Sequence, residues 1–532
     1  MTSIDFSSFD YFQSTKPYEW RPDPAVAGRL VRRPAGAELI EDIWNFHNYG
    51  EQNLFVGVYA SLASAVSADD LQNALRRAWT RVRFLNPLVA SKILHNETGA
   101  ILLYDAAKSE AEVDTWARAT TFLHERTDDV TDLDALRYKI GQAHIPAADL
   151  EWQTELHLMP IAETKFGLLI RTSHVPFDGA GVKIVMTTVL QNLAERLTGV
   201  VRPALIWGTE GKNLLPAMSL IPRKVRPPVL DANGNVVEPD RAGEAIENPV
   251  WKEEYDGLLR DIIANAPHLH PFKSLVPGYD PSKIPPHNRR ATFEFSTEET
   301  ALIDSARILG PNDKLSFNHI ALACVFLVTL IDNPPEKDSD SVFWVWLLND
   351  VRNRLTHEYA ADPLAYPGYA LAESLLSVPV SVVQREEVIT AATITKDDIL
   401  KVAIEVRKGY KKQADMKALL STTHALAEWF ISAPPSPPHC GPLYSGDGKG
   451  ALYLHPKYNS SKDPERPPVI VVDDFFLGLN KSDPGPFFRT MEWKGRLKLS
   501  ADYNEHAVEP KVVDGWVQLW AKLLRLFAGI KQ

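Results

Sequence analysis

The stretch LLIRTSHVPFDGAGVKIVM, Leu168 to Met186, constrains the fold more than any other, because it cannot be one continuous element. WQTELHLMPI and KFGLLIRTSH read as two strands joined by the polar AETK turn, which places His174 at the exit of a strand. Pro176 lacks the N–H that a helix interior uses and pushes Val175 out of the helical region. His174 and Asp178 are therefore not neighbours on a helix face, and a helix-borne metal pair is excluded. The chain must turn tightly, with Gly179 and Gly181 permitting close backbone approach. It then enters a helix with Val182, Val185, Met186, Val189, Leu190, Leu193 and Leu197 on one stripe, stopped at Gly199. Taken alone, the pattern leaves two readings open. Asp178 is the N-cap of that helix and His174 a loop or satisfied core residue, or both belong to a reaction centre. The spacing by itself decides nothing in a chain with 15 histidines. His47 with Glu51 and His424 with Glu428 repeat it without a glycine turn or strand exit and read as structural.

A chain of 532 residues exceeds one ordinary core, so two domains are expected. Its 45% apolar and 23% charged residues suit a folded soluble protein, and a net charge of -11 argues against nucleic acid as a partner. The longest apolar run, IALACVFLVTLI at Ile320 to Ile331, is shorter than the roughly 20 residues that span a bilayer and reads as a buried helix. The opening MTSIDFSSFDYFQ lacks the basic start and apolar run of a secretory signal, and AGIKQ at the end matches no retention or lipidation signal. A cytoplasmic protein without a membrane span is expected. Cys324 and Cys440 have no spacing that suggests a zinc site, a redox pair or a disulfide, and no metal is expected.

Ser67 and Asp70 open an early amphipathic helix carrying Leu71, Ala74, Leu75, Ala78, Trp79 and Val82 on one face and ending near Pro87. Prolines recur between Pro203 and Pro286, which reads as a crossover. The expected division is residues 1–205 as a first domain, 206–288 as a Pro-rich crossover, and 289–532 as a second domain. In the last, RRATFEFS reads as a strand, Ser296 to Glu299 caps a helix closed by Gly310, SVFWVWLLND is an apolar strand, and PPVIVVDDFFLGLN and GRLKLSADYN are further strands before a final helix. YSGDGKG, Tyr444 to Gly450, has glycines and a lysine without a strand and helix frame, so it reads as a flexible loop rather than a phosphate cradle.

Three of these stretches together resemble the H-x-x-x-D-G acyltransferase superfamily, which includes the acyl-CoA-dependent BAHD enzymes and the condensation domains of nonribosomal peptide synthetases. SHVPFDGAG, Ser173 to Gly181, carries the motif, and NDVRNRL, Asn349 to Leu355, is similar to a V-D-x-R-x-R-like turn. DFFLG, Asp474 to Gly478, stands where BAHD enzymes have D-F-G-W-G; Phe476 and Leu477 depart from that pattern, and a fungal branch looks more similar. The layout most resembles fungal trichothecene 15-O-acetyltransferases. The resemblance implies an α/β fold with mixed sheets, arranged as two chloramphenicol-acetyltransferase-like domains with the active site in a tunnel between them. It also implies a monomer, with acetyl-CoA as co-substrate and a small hydroxylated acceptor reaching the tunnel from opposite faces.

An alcohol is a poor nucleophile at neutral pH and needs a base to take its proton. An imidazole with an ordinary pKa near about 6.5 suits that role, so the resemblance makes His174 the catalytic residue. It also implies that Asp178 turns away to pair with an arginine of the later strand, Arg352 first and Arg354 second, clamping the loop. Gly179 would let the backbone approach the acyl chain, and Asp474 and Gly478 would brace the fold. No oxyanion donor or CoA-phosphate contact is identified. The leading expectation is acetyl transfer to a hydroxyl of a fungal secondary metabolite, the trichothecene C15 hydroxyl first. A condensation-type N- or O-acyl transfer from a carrier-protein-bound donor is the alternative, and a scaffold that has lost its chemistry is the third.

Overall fold

Alternating apolar side chains make Thr154–Ala162 and Lys165–Thr172 strands, and the short turn between them sets the pair antiparallel with Leu158 opposite Leu168. The computed structural model describes residues 16–96, 99–224, 229–238, 244, 250–311, 313–337, 339–385, 388–433, 438–460 and 467–531. The opening stretch searched for a targeting signal, the side chain of His47 and parts of the crossover lie outside the described residues. The hairpin lies within a six-stranded sheet in the order Lys457–Tyr458, Ile470–Leu479, Leu54–Leu62, Lys165–Thr172, Thr154–Ala162, Thr121–Leu123. Helices Ala68–Leu85 and Gly179–Leu197 contribute Leu71, Leu75, Trp79, Val82, Val182, Val185, Val189 and Leu193 to the apolar core that these strands share. Ser67 caps the first of them by accepting the Asp70 N–H at 3.1 Å. Burying each such Leu or Val contributes about 1.5–3 kcal/mol.

The second half builds a four-stranded sheet in the order Asn288–Glu294, Arg496–Asn504, Phe487–Trp493, Leu443–Lys449, together with a separate antiparallel ladder in which Val342–Asp350 faces Leu371–Pro379. Helices Phe317–Asp332, Lys396–Asp415 and Pro510–Ala528 pack into its core. Ser296 and Glu299 form a reciprocal capping box at the start of Thr297–Ala306. The fold class is the expected one, α/β with mixed sheets.

Two expectations need correction. The helix expected to run to Gly310 stops at Ala306, because Ile308–Gly310 turns back to pair with Asp313–Lys314. The expected loop at Tyr444 to Gly450 is mostly strand, Leu443–Lys449, added parallel to Phe487–Trp493. The Tyr444 ring is buried and its hydroxyl meets Thr490 Oγ1 at 2.9 Å, while an irregularity between Gly446 and Lys449 absorbs the glycines. Within the crossover, Val250–Asn265 is a helix burying Trp251, Tyr255, Leu258 and Ile262, an amphipathic stripe obscured in the sequence by the prolines around it. The first sheet also draws on both halves of the chain. Ile470–Leu479 leaves the second half and pairs with Leu54–Leu62 in the first sheet, Leu477 opposite Val56.

Candidate active site

The strand Lys165–Thr172 delivers the chain to a turn anchored on both sides of Pro176, by Val175 at 1% exposure and Phe177 at 0%, both in the first apolar core. Asp178 then starts the helix Gly179–Leu197 as its N-cap, with Oδ1 accepting the Gly181 N–H at 2.6 Å. The capping role and the arginine clamp, set apart by sequence as alternatives, coexist on one carboxylate. Arg352 donates Nη2 to Oδ1 at 2.8 Å and Nη1 to Oδ2 at 3.0 Å, and the Ala370 N–H donates to Oδ2 at 2.7 Å. Asp178 is completely buried.

Arg352 follows the strand Val342–Asp350 and spends its remaining donors nearby, on Tyr366 O at 2.9 Å, Gly368 O at 2.7 Å and Asp350 Oδ1 at 3.1 Å. Burial opposes its charge, but Asp178 and then Asp350 outweigh that cost and hold the guanidinium protonated. Gly181 is required here because a Cβ at that position would run into the backbone carbonyls of Pro367 and Gly368. Arg354, the second candidate, does not reach Asp178. It pairs with Glu244 at 2.7 Å and donates to Met416 O at 2.8 Å and Ala414 O at 3.0 Å.

The clamp leaves His174 on a buried turn with 5% of its surface exposed. Burial, and then the positive charge of Arg489, hold its pKa down to about 3, so the imidazole is neutral at physiological pH. Nδ1 lies 3.3 Å from Glu41 Oε1 without hydrogen-bond alignment, and the ring lies 5.4 Å from that of Tyr369. The Tyr369 hydroxyl donates to the same Oε1 at 3.0 Å. Close by, Glu373 is 1% exposed with no hydrogen bond to either carboxylate oxygen, and burial pushes its pKa up to about 7.

Sequence reasoning missed Glu41, Tyr369, Glu373 and Arg489. The motif spacing gives no hint of the first three. Arg489 carried one, a charge at an inward position of the apolar strand Phe487–Trp493, where Phe487, Met491 and Trp493 of the same face join the core that holds Val175.

The His174 ring is enclosed by the surrounding chain. A cavity of about 150 Å³ lined by Asp42, Asn45, His95, His144, Gln153 and Ser173 reaches the residue before it. A larger one of about 660 Å³, against Leu330, Val380 and Ile389, shares no residue with the turn. Gly179 faces Leu477, whose Cδ1 would lie 3.9 Å from a Cβ placed there. Asp474 accepts a hydrogen bond from Lys498, tying Ile470–Leu479 to the second sheet. Phe476, where the plant pattern has glycine, packs its ring over Gly57, which has no Cβ to obstruct it, and receives the Arg290 guanidinium 4.2 Å from its centroid. A Cβ at Gly478 would meet Arg137 Cδ at 3.0 Å. His424, read as structural, accepts the Gly36 N–H at 3.1 Å. Among the described residues no group of three or more His, Cys, Asp or Glu could hold a metal ion, and no helix is long and apolar enough to cross a membrane.

Residues 14–225 match the family model described as 15-O-acetyltransferase Tri3. A protein of Stachybotrys chartarum, SAT12, whose name assigns it 15-O-acetyltransferase activity provisionally, is 22% identical over 94% of this chain and 88% of its own length. The solved structure of the TRI3 trichothecene 15-O-acetyltransferase from Fusarium sporotrichioides superposes with a TM-score of 0.79 at 17% identity, covering 96% of this chain and 98% of that one. The first condensation domain of the calcium-dependent antibiotic synthetase superposes at 0.59 and 11% identity, over 94% and 95% of the two chains. At these identities the structures establish a shared fold. The resemblance to H-x-x-x-D-G acyltransferases holds, and its 15-O-acetyltransferase branch is the one that the family model matches.

Proposed function

We propose that this acetyltransferase moves an acetyl group from acetyl-CoA to a hydroxyl of a small secondary metabolite, with the C15 hydroxyl of a trichothecene as the leading acceptor. The acceptor assignment is supported by the 15-O-acetyltransferase family match and by the likeness to a trichothecene enzyme. The carrying observation is a neutral imidazole at a strand exit, fixed by an aspartate whose oxygens are fully engaged elsewhere.

His174 takes the acceptor's hydroxyl proton on its free ring nitrogen as the oxygen attacks the thioester carbonyl carbon. The C–S bond then breaks, and the imidazolium returns the proton to the departing thiolate. Each transfer consumes one thioester and yields one ester and one thiol, with no covalent enzyme intermediate. Asp178 and Arg352 act on the turn's shape, Gly179 and Gly181 on its closeness to neighbouring chain, and Asp474 and Gly478 on the bracing strand.

Thiol release from acetyl-CoA, measured against a panel of sesquiterpene and polyketide alcohols, tests the reading. His174→Ala should lower turnover by roughly 10²–10⁴-fold without unfolding the chain. Retained activity in that variant would refute the base assignment. Acylation only from a loaded carrier protein would transfer the case to the condensation-type reading, which the fold also accommodates.

A further inference from the structure

We infer that Glu41, on the helix Ala37–His47, is the positioning residue for His174, holding the imidazole through Nδ1 while Tyr369 holds the carboxylate. The inference rests on the proposed transfer reaction, because it concerns the same ring. A base that works through one ring nitrogen needs its resting proton on the other, and that proton needs an acceptor. Asp178 cannot supply one, since Gly181, Ala370 and Arg352 occupy both its oxygens. Glu41 Oε1 is 3.3 Å from Nδ1 and is fixed by the Tyr369 hydroxyl at 3.0 Å.

Each of the two buried side chains keeps an unsatisfied polar atom, for neither His174 Nδ1 nor Glu41 Oε2 has an aligned hydrogen bond. Such orphans are rare in folded chains and call for a state in which they are used. The reaction provides it. As Nε2 gains a proton, a positive charge develops on a ring that burial keeps neutral at rest, and an adjacent carboxylate offsets it. The proton moves only from the acceptor hydroxyl to Nε2; the Nδ1 proton stays on its nitrogen, beside Glu41 Oε1.

The pair must first lose one shared proton to reach this state. Burial, and then Glu373 from the strand Leu371–Pro379, disfavour the ionised form of Glu41, and Glu51 and Asp178 add to this, while the Tyr369 hydroxyl favours it. Burial and then Arg489 disfavour a charged His174, while the ring's contact with its own backbone carbonyl favours it. The helix Leu419–Ser432 packed against Ala37–His47 brings His424 and Glu428, which are engaged by the Gly36 N–H and the Tyr18 hydroxyl respectively. The rising limb of kcat against pH therefore belongs to the Glu41–His174 pair rather than to either group alone.

The test compares wild type with Glu41→Gln, Glu41→Asp and Tyr369→Phe by thiol release across pH, with thermal melting alongside, and follows the His174 ring nitrogens by nitrogen-15 NMR using His174→Ala for assignment. Glu41→Gln should lower kcat by roughly 10²-fold with KM little changed, displace the rising limb, and shift the ring-nitrogen signals away from a single Nδ1–H tautomer. Glu41→Asp should restore part of kcat, and Tyr369→Phe should fall between. Wild-type kcat, pH limb and nitrogen signals in Glu41→Gln would overturn the inference. If that variant does not fold, Tyr369→Phe, which removes one hydroxyl, is read in the same way: a displaced limb and shifted nitrogen signals support the pairing, and wild-type values overturn it. The NMR comparison needs no acetyl transfer, so a chain that proves inactive on every alcohol still decides the pairing separately from the proposed function.

Discussion

Replacing Asp178 with asparagine should cost stability and activity together, because the side chain is an architectural clamp. The substitution keeps an oxygen for the Gly181 N–H but puts an amide NH₂ where Oδ2 now accepts from Arg352 at 3.0 Å and from the Ala370 N–H at 2.7 Å. Donors then face donors in a site with no water access, and Arg352, at 4% exposure, retains only Asp350 as a charged partner. Leaving one member of a buried pair uncompensated costs about 3–5 kcal/mol. Losing two hydrogen bonds to a charged group, at about 1.5–3 kcal/mol each, gives an overlapping range of about 3–6 kcal/mol. At about 2–4 °C per kcal/mol for a cooperative unit of a few hundred residues, melting should fall by roughly 6–20 °C. A shift of the turn by about 1 Å is enough to lower kcat by about 10²-fold. Thermal and urea unfolding, read beside thiol release, measure both. Adding Arg352→Met removes the unpaired cation, so the double variant should regain stability without regaining activity. An Asp178→Asn protein as stable as wild type yet inactive would refute the reasoning and tie Asp178 to the imidazole itself.

Gly181→Ala should lower both melting temperature and kcat, because its methyl group displaces the Pro367 and Gly368 carbonyls and the latter accepts Arg352 Nη2 at 2.7 Å; Gly179→Ala, facing only Leu477, should be milder in both assays. Arg354→Ala should destabilise by removing the charged partner of Glu244, which among the described residues keeps only the Leu420 N–H, while leaving kcat near wild type, in contrast to Arg352→Ala, which should lose both. Burial raises the Glu373 pKa from 4.5 to about 7, so its contribution is present below the lower value and is lost as pH rises through the higher. Urea unfolding of Glu373→Gln should accordingly show a variant that gains on wild type by about 3 kcal/mol between pH 4.5 and pH 8, and a difference independent of pH would sink this account.

The elements around the motif were legible because their signals are local. Pro176 and Gly179 force a turn at fixed positions, and the stripe from Val182 to Leu193 gives the helix its period. The Arg352 clamp was legible only through resemblance, since nothing in NDVRNRL states that it will meet a residue 174 positions earlier. Glu41 was not legible at all. In AELIEDIWNFH it is one of several acidic residues on an amphipathic helix, and only packing against Leu419–Ser432 and Leu371–Pro379 buries it. The Tyr444 to Gly450 strand was hidden for a related reason: a parallel edge pairing tolerates glycines that local propensity assigns to a loop.

The strand Ile470–Leu479 shows why the site cannot be assigned to one half. Without it, Leu54–Leu62 would be an open sheet edge carrying Leu54, Val56, Val58 and Ala60, all buried in the intact chain. With it, Leu477 reaches the start of the motif helix at Gly179, and Asp474 takes a hydrogen bond from Lys498 on the second sheet. The same ten residues thus close the first sheet, pack against the start of the motif helix and fasten it to the half that supplies Arg352 and Arg489. Geometry at His174 therefore depends on the two halves being docked. A chain ending before residue 470 should lose the first sheet's closure along with the clamp's alignment, even though His174, Asp178 and Arg352 would all still be present in it.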